Sequence, residues 1–213
     1  MNSCKVFFYT TGRALCIDNI EEFAKLFCFG NRTGVDLPGE AKGIVPGRFW
    51  KKVVKKDNWY EGDTVNLAIG QGYILVTPIQ VLEMISIVAN NGKAVKPYIV
   101  KRINMSDVSS APWHDLNFSK NAMKAVRNGL YKVVNAENGT GKRAKLEGVI
   151  IGGKTGTAEN PGGKTHAWFS GFAPIDNAKI SLVVLLEHGG KGGLEPSEIA
   201  KEIFAAARSK GYL

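Results

Sequence analysis

The stretch GVIIGGKTGTAEN, Gly148 to Asn160, carries two overlapping patterns that belong to different chemistries. Read from Gly148 it satisfies G-x-x-x-x-G-K-[ST], closing on Gly153, Lys154 and Thr155, a pattern whose backbone N–H groups cradle phosphates. Read from Lys154 it is Lys-Thr-Gly-Thr: a cation and two hydroxyls able to hold a carboxylate. A phosphate loop needs a glycine-rich turn followed by a helix. Here Val149, Ile150 and Ile151 favour a strand, and GTAENPGG, with Pro161, cannot begin a helix. The phosphate reading is therefore set aside. On an extended strand, Lys154, Thr155 and Thr157 line a groove and Gly156 lets a ligand backbone come close. A strand N–H just beyond that glycine can donate to a developing oxyanion, as acyl transfer requires. The bland alternative is a twisted edge strand with a polar face, and the tetrapeptide alone does not choose between them.

The elements that must position these residues are well punctuated. NIEEFAKLFCFG reads as a helix capped by Asp18 with Glu21 completing a capping box, an inward stripe of Ile20, Phe23, Ala24 and Phe27, and a stop at Gly30-Asn31. Thr33 to Trp59, rich in Gly, Pro and Lys, reads as a long ordered loop. TPIQVLEMISIVANNG is a helix with Thr77 as cap, Pro78 in the first position, Gln80 completing the box and Asn91-Gly92 as the stop. A third helix is predicted over Ser119 to Asn135, with Met123, Val126, Leu130 and Val134 inward. A last one runs from Pro196 to about Ser209, with Ile199, Ile203, Ala206 and Ala207 on one side. Between these two lie three strand-like runs, VIIGGKTGTA, HAWFSGFAP and KISLVVLLEH. Pro174-Ile175-Asp176-Asn177 has turn chemistry and implies an antiparallel hairpin of the second and third. The predicted fold is α+β, an antiparallel sheet flanked by helices, with no internal repeat.

Bulk composition narrows the function classes. The 213 residues suffice for a real core, and 44% hydrophobic with 22% charged residues is ordinary globular composition. Lys and Arg outnumber Asp and Glu by 28 to 19, a formal charge of +9 that suits an anionic partner. The densest basic cluster, KKVVKK from Lys51 to Lys56, has no interleaved aromatics; it reads as a solvated loop, and nucleic acid is not expected. Cys4, Cys16 and Cys28 fit neither a disulfide framework nor a zinc site and read as small buried thiols. No apolar run is long enough to span a bilayer and no export signal opens the chain. His114 and His188 read as surface or loop residues; His166 opens the HAWF strand near the Lys-Thr-Gly motif, with a place at the cleft rim only the less favoured reading. The loop GGKGG (Gly189 to Gly193) reads as a flexible turn, and Gln71-Gly72 as a tight one. No metal site and no cofactor are suggested.

Several blocks together carry a family resemblance: NSCKVFFYTTGRAL near the start, TGVDLPGEAKG at Thr33 to Gly43, GDTVNLAIGQGYILVTPIQ at Gly62 to Gln80, then GGKTGTAEN and HAWFSGFAP. In order and spacing the chain resembles the transpeptidase domain of class B penicillin-binding proteins, most closely the elongation-type members, over essentially its whole length. The resemblance implies an enzyme that cross-links peptidoglycan stem peptides. A serine attacks the D-Ala-D-Ala end, and the acyl-enzyme passes to an amine of a neighbouring strand. It further implies β-lactams as inhibitors, partnership of the full-length enzyme with cell-wall elongation proteins, and a place at the periplasmic face of the inner membrane.

Three motifs line such a site: S-x-x-K, S-x-N and K-T-G. The resemblance gives Lys154 positive charge and a share in proton relay, Thr155 and Thr157 the substrate or drug carboxylate, and the Thr157 N–H half of the oxyanion hole. The second motif falls on Ser3-Cys4-Lys5. Ser3 can serve the proton relay, but Lys5 stands where an Asn or Asp belongs, and lysine has donors only. Lys5 either enters the site, where its charge opposes that of the other lysines, or turns to solvent; its substrate-anchoring role is in doubt. No S-x-x-K occurs in the 213 residues; Ser197 and Lys201 are four apart, the wrong register. Residues 1–213 are thus expected to be the C-terminal part of one transpeptidase domain, without the nucleophile helix and first strands, and inactive alone. A β-lactamase-like hydrolase and a non-catalytic binding or structural module are the competing readings. Cys16 and Cys28 stand where relatives commonly carry glycine, so each is strained if its backbone needs positive φ.

Overall fold

The computed structural model describes residues 3–108 and 114–213. Its helices are α1 (Lys5–Leu26), α2 (Arg48–Trp50), α3 (Glu61–Leu67), α4 (Pro78–Ala89), α5 (Lys120–Asn135) and α6 (Glu195–Ser209). Four two-residue strands, β1 (Lys93–Ala94), β2 (Arg102–Ile103), β3 (Ser106–Asp107) and β4 (His114–Asp115), pair as β1 with β4 and β2 with β3. The main strands are β5 (Gly152–Ala158), β6 (His166–Ala173) and β7 (Ile180–Leu186). By contacts the chain forms two compact units, Ser3–Gln80 with Lys96–Ser110, and Val81–Val95 with Ala111–Leu213.

The second unit is the predicted α+β core. β5, β6 and β7 form an antiparallel sheet in that order, with Lys154 opposite Ser170 and Trp168 opposite Leu185. The first strand begins at Gly152 rather than Val149; the buried Ile151 and an isolated Leu146–Val149 bridge precede it. Alternation sends Phe169 to a core with Val133, Val134, Ile151, Leu182, Val184, Ala200 and Phe204. Each fully buried phenylalanine contributes about 2–3 kcal/mol there. On α5 the inward set is Met123, Leu130, Val133 and Val134, whereas Val126, expected inside, is 48% exposed. Arg127 takes the inward register instead. Its guanidinium donates to the carbonyls of Val88 (3.0 Å), Ala89 (2.6 Å) and Ile175 and lies over the Phe172 ring. Two of those carbonyls belong to the last turn of α4, where Val88 also accepts from the Asn91 N–H at 3.2 Å and where positive charge suits the helix dipole. On α6 the buried stripe is Pro196, Ser197, Ala200 and Phe204. Ile203 and Ala206 are exposed, so the predicted face is off by one residue.

In the first unit, α1 begins at Lys5, well before the predicted start at Asp18, and is broken internally at Cys16 (φ 62°, ψ 160°). The chain turns there and resumes helix at Ile17, so Asp18 lies inside the helix and Glu21 pairs with Lys25 at 2.6 Å rather than capping. Ile17 is buried; Phe23, expected inward, is 57% exposed. Gly12 explains how α1 meets α3: a Cβ there would lie 2.3 Å from the Ala68 Cβ. The loop from Thr33 is organised by two carboxylates. Glu40 accepts from the Thr33 N–H and hydroxyl and the Gly34 N–H, and Asp36 accepts from the N–H groups of Ile99 and Val100. KKVVKK is solvated from Lys52 to Lys56, but it is not a loop and Lys51 is not part of the solvated face. It continues α2 as a π-helical turn over Lys51–Lys55, and Lys51 is only 2% exposed. Its ammonium pairs with Asp63 (2.6 Å) and Asp57 (3.2 Å) and sits over Tyr60. The Thr77–Gln80 capping box forms as predicted. Gln80 is fully buried, and its amide also donates to the carbonyls of Cys28, Asn31 and Lys42.

Candidate active site

Lys154, Thr155, Gly156 and Thr157 lie together on β5, an edge strand of the sheet among the described residues. The strand settles the local ambiguity of the sequence: the Gly-Lys-Thr segment is extended and no helix follows it. Alternation puts Thr155 and Thr157 on one face, and Lys154 and Gly156 on the other. The backbone alternates as well. Gly152 pairs with Phe172, while the Ile151 carbonyl faces away from β6 and accepts from the Asn135 amide at 2.8 Å. Continuing that alternation aims the N–H and C=O groups of Thr155 and Thr157 along the outer edge of the strand.

The side chains are held by neighbours that the motif does not contain. The Thr155 hydroxyl donates to the Thr140 hydroxyl at 3.0 Å, in the loop that follows α5. The Thr157 hydroxyl accepts from the Gly192 N–H at 3.5 Å, in the loop before α6. Lys154 is half-buried and its ammonium donates to the Thr155 carbonyl at 2.5 Å. Burial lowers its pKa from the ordinary lysine value, because the charged form loses hydration. Such a lysine gives up a proton more readily than a solvated one, which suits proton relay beside a nucleophile.

At the end of the strand, His166 and His188 sit with ring centroids 5.0 Å apart. The His188 N–H donates to His166 Nδ1 (3.1 Å), and Thr165 and Gly190 exchange two further bonds. His166 is thus beside the end of the Lys-Thr-Gly-Thr strand, but tied into the loop that follows β7. Ser3 and Lys5 belong to the other compact unit, at the start of α1. Both are exposed, and Ser3 has φ 48°. Sequence gives no site signal for Thr140 or Gly192, since neither a threonine in a Gly-rich loop nor a bare glycine signals a contact, and Ser197 enters it only in the wrong register with Lys201.

The profile of the family described as penicillin binding protein transpeptidase domain matches residues 1–206. The chain belongs to that family. Peptidoglycan D,D-transpeptidase MrdA of Haemophilus influenzae is 34% identical over 94% of this chain and 34% of its own length. The protein of the same name from Acinetobacter baumannii is 32% identical over 95% of this chain and 33% of its own. PBP2 of Helicobacter pylori, solved in complex with MreC, superposes with a TM-score of 0.89 at 34% identity, covering all of this chain and 39% of that one. PBP2 of Pseudomonas aeruginosa, solved with WCK 5153, gives 0.85 at 33% identity over 95% of this chain and 44% of that one. The transpeptidase domain described here therefore spans about a third of the length of the curated relatives it matches. Among its described residues no helix is long and apolar enough to cross a membrane.

Proposed function

We propose that these 213 residues form the Lys-Thr-Gly wall of a D,D-transpeptidase that cross-links peptidoglycan by serine acyl transfer. The observation that carries this is the Lys154–Thr157 edge strand, with two threonines along its outer edge and a half-buried lysine beside them, in a chain of this family. In this reading the hydroxyls of Thr155 and Thr157 bind the terminal carboxylate of a D-Ala-D-Ala stem peptide, or that of a β-lactam. The Thr157 N–H donates to the oxyanion, where one such donor is worth about 10²–10³ in rate. Lys154 relays a proton and Gly156 admits the substrate backbone. Ser3 takes part in the relay from the start of α1. The exposure of Lys5 supports the reading in which its side chain turns to solvent and leaves substrate anchoring to the Lys-Thr-Gly strand.

The nucleophile comes from an S-x-x-K that the 213 residues do not contain, so the chain by itself forms no acyl-enzyme. Residues 1–213 are the C-terminal part of one transpeptidase domain, and the longer protein works at the periplasmic face of the inner membrane with elongation proteins of the MreC kind. Labelling with a fluorescent penicillin, followed by intact mass, tests this on the present chain and on one extended upstream through S-x-x-K. An adduct on the extended chain alone is expected. A folded extended chain that takes no label would move the non-catalytic module ahead, and an adduct that hydrolyses within seconds would favour the β-lactamase-like hydrolase.

A further inference from the structure

The run from Arg48 to Lys56 leaves apolar and basic side chains outside the fold together. Phe49 is 80% exposed, and Val53 and Val54 are each more than half exposed, beside Lys52, Lys55 and Lys56. Four carboxylates of the same unit are already paired: Asp57 and Asp63 with Lys51, Asp18 with Arg48, and Glu61 with Arg13. Among the described residues Lys52, Lys55 and Lys56 form no ion pair, so their charge is left for solvent or a partner. Aromatic rings gather against this run. Trp50 and Tyr73 lie with ring centroids 5.5 Å apart, and Tyr60 and Tyr73 are both exposed. The buried Lys51 ammonium lies 4.6 Å from the Tyr60 centroid and 5.7 Å from that of Tyr73. Lys55 lies 5.4 Å from Tyr73 and 6.0 Å from Trp50. Each of these cation–ring contacts is attractive, so the rings are held on a fixed base.

We propose that this face is a docking surface for the peptidoglycan polymer, holding a glycan strand on its aromatic rings and the stem-peptide carboxylates on its lysines. The inference rests on the reading of the chain as part of a transpeptidase that acts on that polymer. An exposed apolar patch marks an interaction surface, and three ammonium groups without counter-ions beside it call for an anionic partner. A sugar ring offers flat C–H faces that pack on an aromatic ring. Each stem peptide ends in a carboxylate, which an ammonium binds by a charge-assisted hydrogen bond. A purely apolar partner would leave the lysines unused, and a bare polyanion would leave Phe49, Val53 and Val54 unused. The surface belongs to the first compact unit and the Lys-Thr-Gly strand to the second. A polymer held at the one keeps its further stem peptides at high local concentration for the other.

The test measures co-sedimentation of the chain, extended upstream through S-x-x-K, with purified peptidoglycan sacculi, alongside labelling by a fluorescent penicillin. Lys52→Gln, Lys55→Gln and Lys56→Gln together should weaken binding about tenfold at low salt, the usual size of three exposed charge pairs. The same variant should lose much of the salt dependence that the parent shows. Phe49→Ser should weaken binding about fivefold at every salt concentration, because its contact is apolar. Penicillin labelling and Tm should keep the parent's values in both variants. Unchanged binding in either variant overturns the proposal. So does a fall in Tm, which would show that upstream residues cover this face. Equal affinity of the parent for phosphatidylglycerol vesicles or for an oligothymidylate would reveal a general polyanion surface and overturn it as well. A parent that binds sacculi through these residues yet takes no penicillin refutes the acyl-transfer reading and leaves the docking surface standing.

Discussion

Replacing Cys16 by glycine should stabilise the protein, although the change removes a side chain. Cys16 breaks α1 with φ 62° and ψ 160°, a backbone region open in practice only to glycine, where a side chain costs about 1–3 kcal/mol. The thiol is exposed and its single weak contact, to the Arg13 carbonyl at 3.6 Å, offers little in return. Glycine also has more freedom to lose on folding, which opposes the gain by about 0.5–1 kcal/mol. The net expectation is a stabilisation of about 0.5–2 kcal/mol, or several degrees in Tm for a chain of this size, at roughly 2–4 °C per kcal/mol.

Urea denaturation followed by circular dichroism, with thermal melts alongside, reads this directly. Cys16→Ala is the decisive control. It removes the sulfur but keeps the Cβ that clashes, so it should lie close to the parent. Cys28, at φ 64° just beyond the end of α1, should gain less on conversion to glycine, because glycine-like left-handed positions at helix ends tolerate side chains better than the Cys16 geometry does. Cys4→Gly, at φ −66°, should gain nothing. If Cys16→Gly lowers the urea midpoint, or if Cys16→Ala gains as much, the strain is not in the backbone and the reasoning is wrong.

Arg127→Met should cost about 2–4 kcal/mol, because three carbonyls lose a charged donor in a partly buried place; a fall in Tm on the order of 10 °C measures it. Glu40 should govern part of the acid limb of stability. Burial raises its pKa, but the hydrogen bonds from the Thr33 hydroxyl and the Thr33 and Gly34 N–H groups outweigh it and hold the pKa below the ordinary value. Its contribution is therefore complete above the unfolded carboxylate's pKa and is lost as pH falls through the lower folded one. Glu40→Gln should flatten the loss of Tm between neutral pH and about pH 3. Lys51→Met should leave Asp57 and Asp63 facing each other without their cation and lower Tm, and adding Asp63→Asn should recover part of the loss. In the extended transpeptidase domain, Lys154→Met should slow penicillin acylation by about 10²–10⁴, the usual range for removing a proton-transfer group, without loss of Tm.

Local rules read well where they were sufficient. The Thr77–Gln80 box and the strand–turn–strand around Pro174 are set by neighbours in sequence, and both stand. The errors fall where a distant partner decided. Val126 and Arg127 are adjacent on α5, and hydrophobicity favours the valine inward; the three carbonyls around the arginine reverse that choice. Lys51 opens a run of four basic and two apolar residues that looks solvated until Asp57, Asp63 and Tyr60 close around it. Gln80 was legible as a cap, yet its amide also serves three carbonyls 38 to 52 residues away in sequence, which no window on the chain contains.

The candidate site divides along the same line. Lys-Thr-Gly-Thr is readable because its chemistry resides in the residue types: a cation, two hydroxyls and a gap. What holds it is written in atoms that are missing. Gly192 makes its contact by having no Cβ, and a glycine-rich loop looks like flexibility from sequence whether it moves or is clamped. The distinguishing feature is Ser197, a polar residue with no exposure at a helix start, whose hydroxyl is committed to that loop. A buried hydroxyl is costly unless bonded, so its presence among Pro196, Ala200 and Phe204 implies a bond that the fold depends on. The Lys-Thr-Gly-Thr strand and the loop that braces it are thus one structural unit, and substitutions in either should disturb the same contacts.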